Sequence, residues 1–237
     1  MIIPAFNEER LLAGTLQHVK TAMTALAERG WQTELIVCDN NSTDRTAELA
    51  RAAGAKVVFE PVNQIARARN CGAGAAGGDW LVFVDADSQP TSQLFAAVAD
   101  EIEGGQCLAG GCAVRLEGNH RGGHAITGLW NWISRTFNLL AGSFIFCEAA
   151  AFREIGGFSL ELYAGEELDL SQRLKRLARR RGKRVVLLRE HALLTSARKV
   201  HLYRLHEHLW FVAKAMIGRR KTLRDPKACY VWYDGRR

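Results

Sequence analysis

The sequence predicts an α/β fold, a Rossmann-like, mostly parallel sheet with helices on both faces. Apolar runs of strand length alternate with stretches of helical spacing, and short polar or glycine-rich loops separate them. A chain of 237 residues suits one such unit, and its 48% hydrophobic and 24% charged residues are ordinary for a globular protein. That composition excludes disordered and fibrous chains. No apolar run reaches the ~20 residues needed to cross a bilayer.

The elements follow in order. Met1-Ile2-Ile3 reads as half a strand ended by Pro4, so the first strand is very short or residues are missing before Met1. Residues 8–29 place Leu11, Leu12, Leu16, Val19, Met23 and Leu26 on one helical face, and Gly30 closes the helix. Residues 35–38 form a short buried-strand run. Residues 44–53 are helical, capped by Ser42 and Thr43 and closed by Gly54. A third strand is expected at 56–60, a third helix at 65–76, and the most apolar strand at 80–84. This alternation with short loops requires parallel pairing.

The second half is less regular. Helices are expected at 91–103, 125–140, 166–181 and 201–217, and strands at 108–116, 144–147 and 185–188. The helix at 125–140 carries Trp130, Trp132 and Phe137, which suit a core or the walls of an acceptor pocket. No internal repeat or clean domain boundary is visible.

The net charge of +7 is unevenly spread: residues 1–170 carry 12 basic and 21 acidic side chains, residues 171–237 carry 20 and 4. The acidic body argues against a nucleic-acid-binding module, which needs basic residues interleaved with stacking aromatics. The basic end suits an anionic surface. Residues 201–217 form an apolar stripe followed by Arg219-Arg220-Lys221, a pattern that can lie on an anionic membrane face or pack on the domain with a solvated tail. Six cysteines without a CxxC pair, and no signal peptide after Met1, point to thiols in a reducing, cytoplasmic compartment. His191, His201, His206 and His208 lack the i, i+4 spacing of a helical metal site.

Ligands of open α/β sheets bind at the carboxyl ends of strands. Those ends here are Pro4-Ala5-Phe6-Asn7-Glu8, Asp39-Asn40-Asn41-Ser42 and Asp85-Ala86-Asp87. Two carboxylates at i and i+2 past a strand end can face one hard cation, Mg²⁺ or Mn²⁺, with phosphate oxygens completing the shell and Gln89 adding a neutral oxygen. A pair of solvated turn residues is the alternative.

Four motifs occur in sequence: Pro4-Ala5-Phe6-Asn7-Glu8-Glu9, Asp39-Asn40-Asn41-Ser42-Thr43-Asp44, Ala68-Arg69-Asn70-Cys71-Gly72 and Phe83-Val84-Asp85-Ala86-Asp87. Together they resemble the nucleotide-sugar half of a family 2 glycosyltransferase of the GT-A fold. Gly156-Gly157-Phe158, Gly165-Glu166-Glu167-Leu168-Asp169-Leu170 and Thr195-Ser196-Ala197-Arg198 resemble motifs of its acceptor half. The resemblance covers roughly residues 1–200. It implies a single GT-A domain over 1–200, with a nucleotide-sugar half at 1–90 and an acceptor half at 91–200, followed by a C-terminal helix and basic tail at 201–237.

The resemblance also implies roles. Pro4, Ala5 and Glu8 line the nucleotide pocket, with Asn41 and Ala86 at the same strand ends. Asp39 bonds the base, and Arg69 approaches the base or diphosphate. Asp85 touches ribose or metal, Asp87 is the main metal ligand, and Gln89 is a third metal-side ligand. The donor is a nucleotide-diphosphate sugar, most simply a UDP-sugar. The acceptor is an unspecified glycan, lipid or small molecule.

A divalent ion beside Asp87 neutralises a leaving diphosphate, and an acceptor hydroxyl then needs a base on the opposite face. The Glu166-Glu167-x-Asp169 cluster opens a helix, where the dipole keeps carboxylates ionised. The family pattern usually has Glu-Asp where this chain has Glu166-Glu167, so Glu167 takes the base position with a longer arm. Glu166 and Asp169 stay open as alternatives, as does a plain acidic helix cap. A single displacement of this kind inverts the anomeric centre. Ser196 and Arg198 can hold a phosphate through a hydroxyl and a guanidinium. A nucleotidyltransferase that makes sugar nucleotides is the competing enzyme class. It needs a Gly-rich loop with Lys or Arg after the first strand, where Asn7-Glu8-Glu9 stands instead.

Overall fold

A computed structural model of the chain describes residues 1–117, 140, 142–196, 198, 223–225 and 229. The helices expected at 125–140 and 201–217, the basic tail, and His201, His206 and His208 lie essentially outside the described residues.

The strands are β1 (Ile2–Ala5), β2 (Ile36–Asp39), β3 (Lys56–Phe59), β4 (Trp80–Val84), β5 (Ser88–Gln89), β6 (Cys107–Leu116), β7 (Phe144–Glu148) and β8 (Arg184–Thr195). The helices are α1 (Leu12–Ala27), α2 (Thr46–Ala52), α3 (Ile65–Gly74), α4 (Ser92–Glu103), α5 (Ala149–Glu154) and α6 (Glu166–Arg180). One sheet runs β3-β2-β1-β4-β7-β6-β8-β5. Strands β1 to β4 are mutually parallel, β7 enters antiparallel between β4 and β6, and β8 returns parallel to β6. The carboxyl ends of β1, β2, β4, β6 and β8 therefore share one edge of the sheet.

Alternating side chains divide the core into two layers. Ile3, Val37, Val82, Val84, Phe144 and Phe146 pack against α1, α2 and α4. Ile2, Leu81, Phe83, Ile145 and Cys147 pack against α3, α5 and α6. Helix α3 approaches β1 so closely that a Cβ on Gly72 would lie 2.5 Å from Ile2 Cγ2. Buried cysteines Cys107 and Cys112 are pushed up to about 12 by desolvation, so these thiols are unreactive.

Three sequence expectations need correction. Pro4 does not end β1 but sits inside it, in register with Cys38. The carbonyls of Met1 and Ala5 accept bonds from Ile36 at the start of β2 and Asn40 just past its end, so odd positions face β2 and Pro4 faces β4. On that side the ladder has its register pair at Ile2↔Phe83, so the missing N–H removes no sheet bond. Ser42 and Thr43 do not cap α2. Instead the Asp44 carboxylate accepts from the Thr46 N–H (3.0 Å), because the preceding loop is turned toward β1. Strand β8 runs to Thr195 rather than stopping near Leu188, held by long-range pairing with β6 and β5.

Candidate active site

Each strand end contributes one polar segment to the shared edge. After β1, Asn7 adopts a left-handed conformation (φ 52°). Its N–H donates to Ser42 Oγ (3.0 Å) and its side-chain oxygen accepts from the Thr43 N–H (2.8 Å). The Glu8 N–H donates to Thr46 Oγ1 (2.8 Å) and the Glu9 N–H to Asp44 (3.1 Å). The loops after β1 and β2 are thus fastened to each other before any ligand arrives. Asp39 is buried and accepts from the Ser42 N–H (3.0 Å), while Asn41 is exposed in a left-handed turn (φ 65°). Pro4, Ala5 and Ala86 are buried backing for this floor, and the Ala86 carbonyl accepts from Thr15 Oγ1 (2.8 Å).

After β4, Asp85, Asp87 and Gln89 are half-buried and alternate with buried Ala86, Ser88 and Pro90. Asp87 accepts from Thr195 Oγ1 (3.3 Å), and its carbonyl accepts from the Ser196 N–H (3.0 Å). Gln89 lies in β5, opposite Leu194 of β8. Among the described residues no three His, Cys, Asp or Glu side chains converge on one point. The donor set Asp85, Asp87 and Gln89 is all oxygen, which fits a hard divalent cation whose shell a ligand's phosphates complete.

Arg198 joins the β1 loop to the end of β8. Its two terminal nitrogens bond both Glu8 carboxylate oxygens (2.9 and 2.7 Å), a bidentate pair that is largely buried. Its backbone N–H donates to Ser196 Oγ (3.1 Å). The Thr195-to-Arg198 segment therefore braces both Asp87 and Glu8.

The densest charge cluster centres on Arg69 of α3, which is only 2% exposed. One terminal nitrogen donates to Glu166 (2.8 Å), the other to Asp85 (3.0 Å) and to the Gly142 carbonyl (2.9 Å). Its guanidinium carbon lies 5.1 Å from the Phe158 ring centre. Burial works against its charge, but Asp85, Glu166 and Glu167 outweigh that and hold it protonated. Arg69 thus ties the end of β4 to the start of α6.

Helix α6 begins after Gly165, which takes a left-handed φ of 73°. Its first turn holds all three candidate carboxylates, and the structure separates them. Glu166 is committed to Arg69, and Asp169 pairs with Arg173 (2.7 Å). Glu167 makes none of the ion pairs among the described residues. Desolvation and the adjacent Glu166 push its carboxyl from 4.5 up to about 8, against the opposing pull of Arg69. A cleft of about 210 Å³ is lined by Asp85, Arg69, Glu166 and Glu167, with Gly142, Ser143 and Tyr163. The sequence reading missed these last three. Their signal was slight: small residues beside the apolar run of β7, and one aromatic in an irregular loop.

Residues 1–153 match the profile described as Glycosyl transferase family 2. The chain is 30% identical over 135 residues to an uncharacterized glycosyltransferase of Mycobacterium tuberculosis, covering 57% of this chain and 53% of that protein. It is 35% identical over 103 residues to glucosyl-3-phosphoglycerate synthase of Mycolicibacterium smegmatis, covering 40% and 32%. The match to the first of these spans about half of the relative's length. A mannosyltransferase of Pyrobaculum calidifontis, solved with GDP-Man and Mn²⁺, superimposes with a TM-score of 0.64 at 18% identity, covering 96% of this chain and 62% of that one. Glucosyl-3-phosphoglycerate synthase of M. tuberculosis, solved with Mn²⁺, UDP and phosphoglyceric acid, gives 0.61 at 21% identity, covering 96% and 77%. The fold is that of the GT-A glycosyltransferases, and by its sequence the chain belongs to glycosyl transferase family 2.

Proposed function

We propose that this chain is an inverting, metal-dependent glycosyltransferase that moves a sugar from a UDP-sugar to a hydroxyl or lipid-phosphate acceptor in cell-envelope glycan or glycolipid synthesis. One observation carries this reading. A single cleft is lined both by Asp85 at the end of β4 and by Glu167 at the start of α6. Relatives with this fold were solved with UDP or GDP-Man and Mn²⁺, which supports the donor class and the cation.

Residues 1–90 hold the donor, with Pro4, Ala5, Glu8, Asp39 and Asn41 around the nucleotide. Asp87, Asp85 and Gln89 hold a Mg²⁺ or Mn²⁺ ion. When bound, that ion offsets the charge of the departing diphosphate. Arg69 fixes Asp85 in place, and Ser196 and Arg198 face the phosphates.

Residues 91–200 hold the acceptor, and 201–237 form an appended helix and basic tail. Glu167 is the base and removes the proton from the acceptor hydroxyl as its oxygen attacks the anomeric carbon. Its raised pKa suits proton transfer near neutral pH. Attack from the face opposite the diphosphate inverts that carbon. Glu166 and Asp169 are held by arginines and serve as supports.

No described helix is long and apolar enough to cross a membrane. The excess of basic residues after 170 supports work in the cytoplasm, with that end on an anionic membrane face. Nucleic acid plays no part. The test is transfer and binding with Glu167→Gln: UDP–Mn²⁺ affinity should hold while transfer falls ~10²–10⁴-fold. Full transfer in that variant would remove Glu167 from the base role. Separately, removing residues 219–237 should weaken retention on anionic liposomes, and unchanged retention would refute the membrane assignment.

A further inference from the structure

Beside the proposed active site lies a second pocket, of about 430 Å³, that the donor and base assignments leave unused. A break in register builds it. Cys112 pairs with Leu188 and Val114 with Leu193, so Ala113 alone faces the four residues 189–192 of β8. The bulge pushes Arg189, Glu190 and His191 out of the ladder. Arg115 stands across from it on β6, and the first turn of α4 closes the pocket with Thr91 and Gln93.

Four features give this pocket an anion-binding character. Arg115 and Arg189 are exposed, and among the described residues neither has an ion-pair partner. Arg29, Arg45, Arg69, Arg173, Arg181 and Arg198 pair with carboxylates, and the other arginines unpaired among the described residues, such as Arg10, Arg51 and Arg176, do not line this cavity. His191 adds a ring that can donate, and Thr91 and Gln93 add polar side chains from the start of α4. Glu190 is the acidic residue of the rim. It is exposed and solvated, so it reduces the pocket's charge without cancelling it.

Position gives the pocket its meaning. Arg115 is in register with Leu194, and Leu194 with Gln89. Two strand spacings, about 10 Å, thus separate Arg115 from the proposed cation side. The pocket sits at the same edge of the sheet, in the half assigned to the acceptor. Protection of an edge strand by a bulge explains an irregularity there, but not two unpaired arginines that open on one cavity.

We propose that this pocket binds the phosphate group of the acceptor, a recognition handle distinct from the hydroxyl that attacks. The acceptor class is then a phosphorylated alcohol. This rests on the transferase reading above, and the following experiment separates the two. Inorganic phosphate is titrated calorimetrically into the protein, with and without saturating UDP and Mn²⁺. The wild type should bind phosphate in both conditions. The double variant R115S/R189S should bind about tenfold more weakly, and Glu190→Gln about two- to threefold more tightly. UDP–Mn²⁺ affinity should be unchanged in both variants, since neither alters a donor residue.

Equal phosphate affinity in the wild type and the double variant would overturn the proposal, as would no phosphate binding at all. Arginine-dependent phosphate binding without UDP–Mn²⁺ binding would keep the pocket and remove the donor reading. Vesicles of phosphatidylglycerol, compared with phosphatidylcholine, identify the source. Retention that depends on these arginines assigns a lipid phosphate. Phosphate binding without such retention assigns a soluble acceptor.

Discussion

At the scale of single residues, Arg69 is the point where stability and chemistry meet. It carries one positive charge into a site only 2% exposed and meets Asp85 and Glu166 there. Replacing it with Met would leave Glu166 buried without its partner. Loss of one member of a buried pair typically costs about 3–5 kcal/mol, so Arg69→Met should lower the urea midpoint accordingly. Glu167 has the opposite problem: no cation is dedicated to it, and burial beside Glu166 raises its pKa to about 8. The sign of the pH effect follows. The folded protein keeps a proton on Glu167 that the unfolded chain releases near 4.5, so this group's contribution to stability falls as pH rises between about 4.5 and 8. Transfer needs the ionised form, so kcat should rise through the same region and level off above it. Glu167→Gln should flatten both trends, measured by denaturation and by rate against pH. A kcat profile unchanged by that substitution would exclude Glu167 as the titrating base.

At the scale of elements, the turn after α5 shows how local backbone geometry reaches the site. Gly157 has a φ of 67°, and a Cβ there would lie 2.6 Å from the Asn70 side-chain oxygen. That oxygen accepts from the Phe158 N–H and the Asn70 amide donates to the Phe158 carbonyl, both at 2.9 Å. These bonds hold the ring on which Arg69 rests. Gly157→Ala should therefore destabilise the protein by about 1–3 kcal/mol through strain and loss of these bonds, read as a lower midpoint with an unchanged m-value. The elements themselves were legible wherever short-range signals decided them. From α1 to α4, helical spacing and apolar runs placed every helix and the strands β2, β3 and β4, with boundaries shifted by a few residues, but not the two-residue β5. The end of β8 was not legible, because Arg189-Glu190-His191 interrupts the apolar pattern and pairing with β6 overrides it. Asp85 and Asp87 stood out as candidates because they directly follow the most apolar strand. The contact between Arg69 and Glu166 was not, since 97 residues separate them. For the same reason the sequence left the proposed base open among Glu166, Glu167 and Asp169, whose surroundings differ in their ion-pair partners.

At the scale of the whole molecule, the proposed function makes ligand binding and folding one linked problem. The acidic edge brings Glu8, Asp39, Asp85, Asp87, Glu166 and Glu167 to one end of the sheet, with the buried Arg69 and the half-buried Arg198 placed among them. Glu8 and Glu166 each meet an arginine, and the Asp87 carboxylate accepts from the Thr195 hydroxyl and lies within the field of Arg198. A diphosphate alone would add negative charge beside Asp85 and Asp87, and a cation alone would find only part of its shell. Each ligand should therefore bind weakly by itself and tightly with the other. A ligand that binds only the native state at about 100 times its Kd adds roughly 2.7 kcal/mol of stability. For a domain of 150–250 residues, each kcal/mol shifts Tm by about 2–4 °C. UDP with Mn²⁺ should then raise Tm by roughly 5–11 °C, while UDP with a chelator, or Mn²⁺ alone, should produce a small fraction of that. In Asp87→Ala the joint shift should disappear. The variant's own Tm should stay near that of the wild type, because Asp87 is only half-buried and its bond from Thr195 is long, at 3.3 Å. The loss in Mn²⁺-dependent UDP affinity should exceed the ~10–100-fold typical of residues that only support a metal ligand. Additive shifts from the two ligands in the wild type, or a joint shift surviving in Asp87→Ala, would show that the nucleotide and the cation do not share the edge where β4 ends.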